Sequence, residues 1–275
     1  MNSRQLYSDI FECSHNSPLV ISLVGGGGKT STAFWLAKEF KKRGHRVCVT
    51  TTTKMYLPKK VQADNFIKID NLNLESISQL IKDLPDQSVT FCYQRLIKRN
   101  NNSEENKVSG ITCDDIEQLK NDSYFTVFII EADGAKCLPI KAPDRHEPCI
   151  PISSDMVIGV TGAEIINTRA IPEKIHRWHL FSALTLCSAG ELIDRRILGN
   201  LIIHPQGLFK NAPDKARKIW LINKIDLTHD YTSLIKLAQQ VLEQANNLDA
   251  IWLTTMNSHA PIKERLVKPD LPTGA

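Results

Sequence analysis

Leu19-Val20-Ile21-Ser22-Leu23-Val24-Gly25-Gly26-Gly27-Gly28-Lys29-Thr30-Ser31 is an apolar run, four glycines and a Lys-Thr-Ser, in that order. The apolar run reads as a buried strand. Glycines let the backbone curl so that successive N–H groups face one concavity. The helix that starts at Lys29 adds unpaired donors and a partial positive charge. Lys29 brings a point charge for the β- and γ-phosphates of a nucleotide, and the Thr30 hydroxyl a ligand for Mg²⁺. The predicted phosphate contacts are therefore Gly25, Gly26, Gly27, Gly28, Lys29, Thr30 and Ser31. The usual spacing has another glycine six residues before the lysine; Leu23 stands there, so the loop is a variant. A purely structural strand-to-helix turn is the alternative, and four glycines running directly into Lys-Thr weigh against it.

Outward from this loop, Ala33, Phe34, Leu36, Ala37 and Phe40 recur at helical spacing, and Gly44 ends that helix. Arg46-Val47-Cys48-Val49-Thr50 reads as a second strand. Strand, helix, strand makes a βαβ unit with a right-handed crossover. Further strands are expected at 66–69, 89–93, 126–130, 156–160, 219–222 and 251–253, with helices at 74–84 and 232–245. The polar stretch 98–107 reads as a surface loop. No internal repeat or linker interrupts the pattern. The expectation is one P-loop NTPase domain over residues 1–275, with an extension at 1–17 and a mostly helical elaboration at about 165–215. Its fold class is α/β: a doubly wound, mostly parallel sheet, the elaboration preceding the strand that leads to Asn223.

Two later segments carry chemistry. Ile130-Glu131-Ala132-Asp133-Gly134 ends the most apolar strand, and parallel sheets bind ligands at the carboxyl ends of their strands. Glu131 and Asp133 are candidates to hold Mg²⁺ or its waters, and Gly134 lets the backbone approach a γ-phosphate. A plain Asp-Gly turn is the structural alternative. Asn223-Lys224-Ile225-Asp226 follows another apolar strand. A carboxylate at Asp226 accepts two hydrogen bonds from guanine N1–H and the 2-amino group, a donor pair that adenine lacks. The Lys224 stem packs on the base, and Asn223 orders the loop. Thr50 to Thr53 continue the second strand toward the same face, and Thr52 is a candidate metal ligand, balanced against simple β-propensity.

The loop Ala135 to Pro148 holds three prolines among lysine, arginine, histidine and glutamate. Lys136 or Lys141 can steady transition-state charge, with Lys136 the first choice, and His146 and Glu147 can meet a second ligand. His176-Arg177 is a further anion contact or an ordinary helix start. Cys137, His146 and Cys149 fit no strong metal spacing. The seven cysteines are scattered without a CxxC pair, which argues against a disulfide framework. With 42% hydrophobic and 23% charged residues the chain is globular, and a net charge of +4 is too small to indicate nucleic acid. No leader or membrane-length apolar run is seen, so a cytoplasmic protein is expected, without membrane or nucleic-acid partners and with a homodimer allowed.

The glycine loop GGGGKTS, TTTKM, EADGAKCLPIKAPDRHEP, the IHR segment and the late NKID together resemble the YqeC-like family of selenium-dependent hydroxylase accessory proteins, from about Leu19 to Asp226. The resemblance implies a role in maturing molybdenum hydroxylases that need selenium, with such a hydroxylase or a cofactor-maturation protein as partner. A more distant similarity is to metallochaperone GTPases that insert nickel, whose E-x-x-G and NKxD elements fall on Glu131, Gly134, Asn223, Lys224 and Asp226. The favoured reading is a Mg²⁺-dependent nucleoside triphosphatase. GTP is favoured over ATP, with Lys29, Asp133 and Lys136 catalytic and Thr30, Thr52, Glu131 and Asp133 at the metal. An ATP-dependent ligase or kinase on a small acceptor, and a nucleotide-binding module that does not hydrolyse, share the same signature.

Overall fold

A computed structural model describes residues 17–69, 74–97, 106–122, 124–228 and 230–268. Strand β1 (Leu19–Gly25) runs through the glycine loop into α1 (Lys29–Lys42), and β2 (Arg46–Thr51) follows. Next come β3 (Lys54–Tyr56), β4 (Asn65–Lys68), α2 (Leu74–Lys82) and β5 (Ser88–Tyr93). Then β6 (Arg95–Ile97), β7 (Lys107–Ser109) and α3 (Cys113–Asp122) lead to β8 (Val127–Glu131). After β9 (Ile140–Lys141) and β10 (Met156–Gly162) the chain forms β11 (Ile175–His176), α4 (Trp178–Thr185) and α5 (Arg195–Ile203). It closes with β12 (Arg217–Asn223), α6 (Tyr231–Gln244), β13 (Ala250–Thr254) and β14 (Ile262–Val267).

Nine strands make one sheet in the order β14-β13-β12-β10-β1-β8-β2-β5-β4. Every neighbouring pair is parallel except β13 with β14. Side chains alternate between its faces, as the period of two requires. Ile21, Leu23, Val49 and Ile129 meet Phe34, Leu36, Ala37 and Phe40 of α1 on one face. On the other, Val20, Cys48, Phe128 and Ile130 meet α2 and α3. Further along that face Val157, Trp220, Ile222 and Ile251 are covered by α4, α5 and α6. The sheet is thus doubly wound, and β8, buried at all five positions, lies at its centre beside β1.

Local chemistry sets the helix ends. Gly44 takes φ +92°, and the backbone N–H groups of Gly44 and His45 return to Lys41 and Phe40, closing α1. Asp194 caps α5 by accepting from the Ile197 N–H at 3.1 Å, and Asp230 caps α6 by accepting from Ser233 at 2.9 Å. The expected strands and helices appear with ends shifted by one or two residues. Four features lie outside that expectation: helix α3, the antiparallel edge strand β14, the three-stranded sheet β3-β7-β6 and the short parallel ladder β9-β11. The polar stretch 98–107 lies, up to residue 105, outside the described residues, as does the N-terminal extension up to residue 16.

Candidate nucleotide-binding site

The carboxyl ends of β1, β8, β10 and β12 are adjacent in the sheet and deliver the expected residues to one place. The glycine loop is held on all sides. Gly25, Gly27 and Gly28 have φ of 92°, 78° and 137°. A Cβ on Gly26 would stand 2.5 Å from Leu138 O, and one on Gly27 2.3 Å from the Gly162 nitrogen. The loop therefore requires glycine both for its torsions and for its packing.

Its N–H groups divide into two sets. Those of Gly25, Gly26 and Gly27 donate to Asp133 Oδ2 at 3.0 Å, Val160 O at 2.8 Å and Leu138 O at 3.0 Å. They tie the loop to β8, β10 and the segment before β9. The N–H groups from Gly28 to Ser31 make no hydrogen bond among the described residues. Thr32 N–H is the first to bond back, to Gly28 O at 3.0 Å, and α1 has no side-chain cap. The N–H groups of Lys29, Thr30 and Ser31 consequently have no intrahelical partner, at the positive end of the helix dipole.

Lys29 is buried, with its side chain 4% exposed. Its Nζ donates to Gly25 O at 2.5 Å and lies 3.1 Å from Asp133 Oδ1 and 3.8 Å from Glu131 Oε1. Burial opposes its charge, but Asp133 and Glu131 outweigh that and raise its pKa above the usual lysine value. Burial likewise raises the Glu131 pKa, against the pull of Lys29 and a hydrogen bond from Thr30. Thr30 Oγ1 donates to Glu131 Oε2 at 2.8 Å. This hydroxyl and carboxylate are oxygen donors of the kind Mg²⁺ takes, while buried Asp133 Oδ1 beside them accepts no hydrogen bond and faces the Lys29 ammonium. Thr52 sits differently: its hydroxyl donates to Cys149 O at 2.8 Å and its N–H to Glu131 O at 3.1 Å. Thr50 and Thr51 also bond backbone carbonyls, of Cys92 and Glu131.

The two loop lysines part company. Lys136 is exposed, at φ +48° in a turn closed by Leu138 N–H to Ala135 O. Lys141 is 1% exposed and lies 3.1 Å from Asp133 Oδ2. It donates to Gly134 O at 2.7 Å and Glu147 Oε2 at 2.6 Å. Glu147 also accepts from Arg177 at 2.6 Å, and Arg177 lies 3.2 Å from Asp144. An unbroken chain of ion pairs thus runs Lys29–Asp133–Lys141–Glu147–Arg177–Asp144. Sequence order gave no sign of it beyond the charged character of the loop. His146 and Cys149 stay near one another, with the Cys149 thiol donating to His146 O at 3.2 Å. Among the described residues no cluster of three His, Cys, Asp or Glu is arranged to hold a metal.

This chain has an acid signature. Burial raises the Glu147 pKa, but hydrogen bonds from Arg177 and Lys141 override it and hold the carboxyl at about 2, against 4.5 ordinarily. Burial, then the charges of Arg177, Lys141 and Lys136, lower His176 from 6.5 to about 4. Both folded values lie below the unfolded ones, so both groups stabilise the fold above the unfolded pKa and lose that contribution as pH falls. Stability should fall first between pH 6.5 and about 4, then between 4.5 and about 2. Denaturant titrations in steps down to about pH 3 should show this, and Glu147→Gln should flatten the lower step. An unchanged lower step in that variant counts against the ion-pair chain.

At β12, Asn223 acts as a knot. Its amide donates to Gly27 O at 2.9 Å, and its Oδ1 accepts from Met256 N–H at 3.0 Å and Thr254 Oγ1 at 3.3 Å. The glycine loop, the turn at Asn223 and the end of β13 are fixed together through one side chain; Thr254 and Met256 had no signal in the sequence. Lys224 takes φ +61° and pairs with Glu164. Asp226 is exposed and makes no side-chain hydrogen bond or ion pair among the described residues. Gly25 to Thr30, Glu131, Asp133 and Asn223 therefore converge, Lys224 and Asp226 flank them, and Lys136 and Thr52 lie outside the buried ion-pair chain.

The chain matches the family model described as YqeC protein over residues 21–179. It is 36% identical over 254 residues to a protein of Escherichia coli (strain K12) described as uncharacterized protein YqeC, covering 91% of this chain and 92% of that protein. The chain belongs to the YqeC family. Among solved structures, FtsY from Mycoplasma mycoides aligns with 94% of this chain and 60% of its own, at a TM-score of 0.31 and 14% identity. The chain thus spans about 60% of the length of that structure. No helix among the described residues is long and apolar enough to cross a membrane.

Proposed function

We propose that this YqeC-family protein is a cytoplasmic, Mg²⁺-dependent nucleoside triphosphatase that prefers GTP and serves as an accessory factor for a selenium- or molybdenum-dependent hydroxylase. The observation that carries the nucleotide part is the open row of N–H donors at Lys29, Thr30 and Ser31, beside a buried Lys29 ammonium and the Thr30–Glu131 pair. Donors, a cation and oxygen ligands meet at the end of a central strand, which is what a triphosphate with its Mg²⁺ needs. The accessory role rests on the family resemblance.

In this reading the α1 N-terminus and Lys29 bind the β- and γ-phosphates. Thr30 and Glu131 would hold the metal, which would supply charge neutralisation for the phosphates. Asp133 orients a water. Its oxygen bonds to the γ-phosphorus as the bridge to the β-phosphate breaks, and its proton leaves to phosphate or solvent. Lys141 replaces Lys136 as the loop cation beside the reacting groups, because it is the one that reaches Asp133.

A calorimetric panel of GTP, ATP and CTP with Mg²⁺, followed by single-turnover phosphate release, tests this. GTP should bind best and be hydrolysed slowly. Binding without phosphate release, alone and with a molybdenum hydroxylase, leaves a non-hydrolysing module. Equal or tighter ATP binding moves an ATP-dependent ligase or kinase ahead.

A further inference from the structure

We infer that Glu164 is a positioning residue for the nucleoside half of the ligand, acting through Lys224; this rests on the nucleotide reading above. Topology places it. β10 lies between β1, which ends in the phosphate loop, and β12, which ends in Asn223-Lys224-Ile225-Asp226. A nucleotide with its phosphates on the first loop and its base at the second must lay its sugar across the end of β10. Glu164 stands in the short 3-10 turn Ala163–Ile165, immediately after that end.

Two costs meet at this carboxylate. Lys224, whose ammonium it binds, is held in the left-handed region at φ +61°, where a side-chain-bearing residue is strained. Glu164 Oε2 is buried with no hydrogen-bond partner. The two residues are packed together: a Cβ on Gly162 would meet Glu164 Oε2 at 2.1 Å and displace the carboxylate from this position. Gly162 itself touches the phosphate loop, since a Cβ on Gly27 would stand 2.3 Å from its nitrogen. A strained lysine and an underpaired carboxylate are poor choices for stability alone. Together they hold the Lys224 stem at one orientation over the place where a base lies, in advance of binding.

The discriminating experiment compares Mg²⁺-GTP with Mg²⁺-tripolyphosphate, which carries the phosphates without base or sugar. Wild type should bind GTP the more tightly. Glu164→Ala should lose roughly tenfold in GTP affinity while tripolyphosphate affinity stays within about twofold. Lys224→Ala should lose a similar factor, and the double variant no more than either single one, because the two side chains act as one unit. Glu164→Gln, which keeps an acceptor for Lys224 without the charge, should fall between wild type and Glu164→Ala. An equal loss for both ligands in Glu164→Ala marks a structural role and overturns the inference, as do additive losses or none. Wild type that binds tripolyphosphate as tightly as GTP removes the base-loop reading and this inference with it. Failure of the variants alone leaves the nucleotide reading standing.

Discussion

Lys29→Ala is expected to abolish measurable triphosphate binding, a loss of at least about a hundredfold. The ammonium sits at the mouth of the glycine loop, 2.5 Å from Gly25 O, inside a shell from which water is largely removed. A charge in such a place acts on phosphate far more strongly than an exposed lysine does. The same burial gives the variant a second effect. Asp133 Oδ1 loses the cation 3.1 Å away and Glu131 the one at 3.8 Å. Breaking a buried pair by removing one partner costs about 3–5 kcal/mol, and the Lys141 ammonium that remains beside Asp133 reduces that figure. Stability and binding must therefore be read separately. Adding Asp133→Asn to Lys29→Ala should recover much of the stability without recovering binding. Calorimetry with Mg²⁺-GTP and Mg²⁺-ATP measures one arm and denaturant unfolding the other. Unchanged triphosphate affinity in a folded Lys29→Ala protein would rule out the phosphate-loop assignment.

The contrast between Lys29 and Lys141 shows how far the sequence reaches. Lys29 was identifiable because its surroundings are local: a strand, four glycines and a helix start within a dozen residues or so specify a backbone shape, and the shape specifies the chemistry. The central strands were identifiable for a related reason. A strand buried on both faces must be apolar at every position, as Val127 to Ile130 are. Sequence alone puts Lys136 ahead of Lys141. Both lie in one polar loop, and which of them turns inward depends on Asp133, Glu147 and Arg177, brought together from separate elements. No spacing rule encodes that. The edge strand β14 is hidden because Lys263, Glu264 and Arg265 interrupt its apolar character, which an edge tolerates. Helix α3 is hidden because its described core contacts reduce to Ile116 and Leu119 amid acids and amides. The Asn223 knot was half legible: the sequence has Asn223 ordering its loop, but Gly27, Thr254 and Met256 as its three anchors follow only from the sheet order.

Asp226→Asn is expected to exchange the base preference, weakening GTP and strengthening xanthosine triphosphate. The knot makes this a clean substitution. Asn223 carries the loop's structural bonds, Lys224 is held by Glu164, and Asp226 is exposed with no side-chain partner among the described residues, so its carboxylate can change without disturbing either neighbour. A carboxylate accepts from guanine N1–H and the 2-amino group. An amide places a donor against one of those donors, but suits xanthine, which has a carbonyl where guanine has the amine. A charge-assisted bidentate contact contributes about 1.5–3 kcal/mol, so wild type should prefer GTP to ATP by at least about tenfold, and the variant should lose GTP by a similar factor. The substitution leaves the phosphate half alone: tripolyphosphate affinity and unfolding free energy should match wild type. Competition binding with the three triphosphates decides it. If wild type takes ATP as well as GTP, and Asp226→Asn changes neither, the Asn-Lys-x-Asp loop does not read a guanine base and the selectivity of this site has to be sought elsewhere along the carboxyl edge of the sheet.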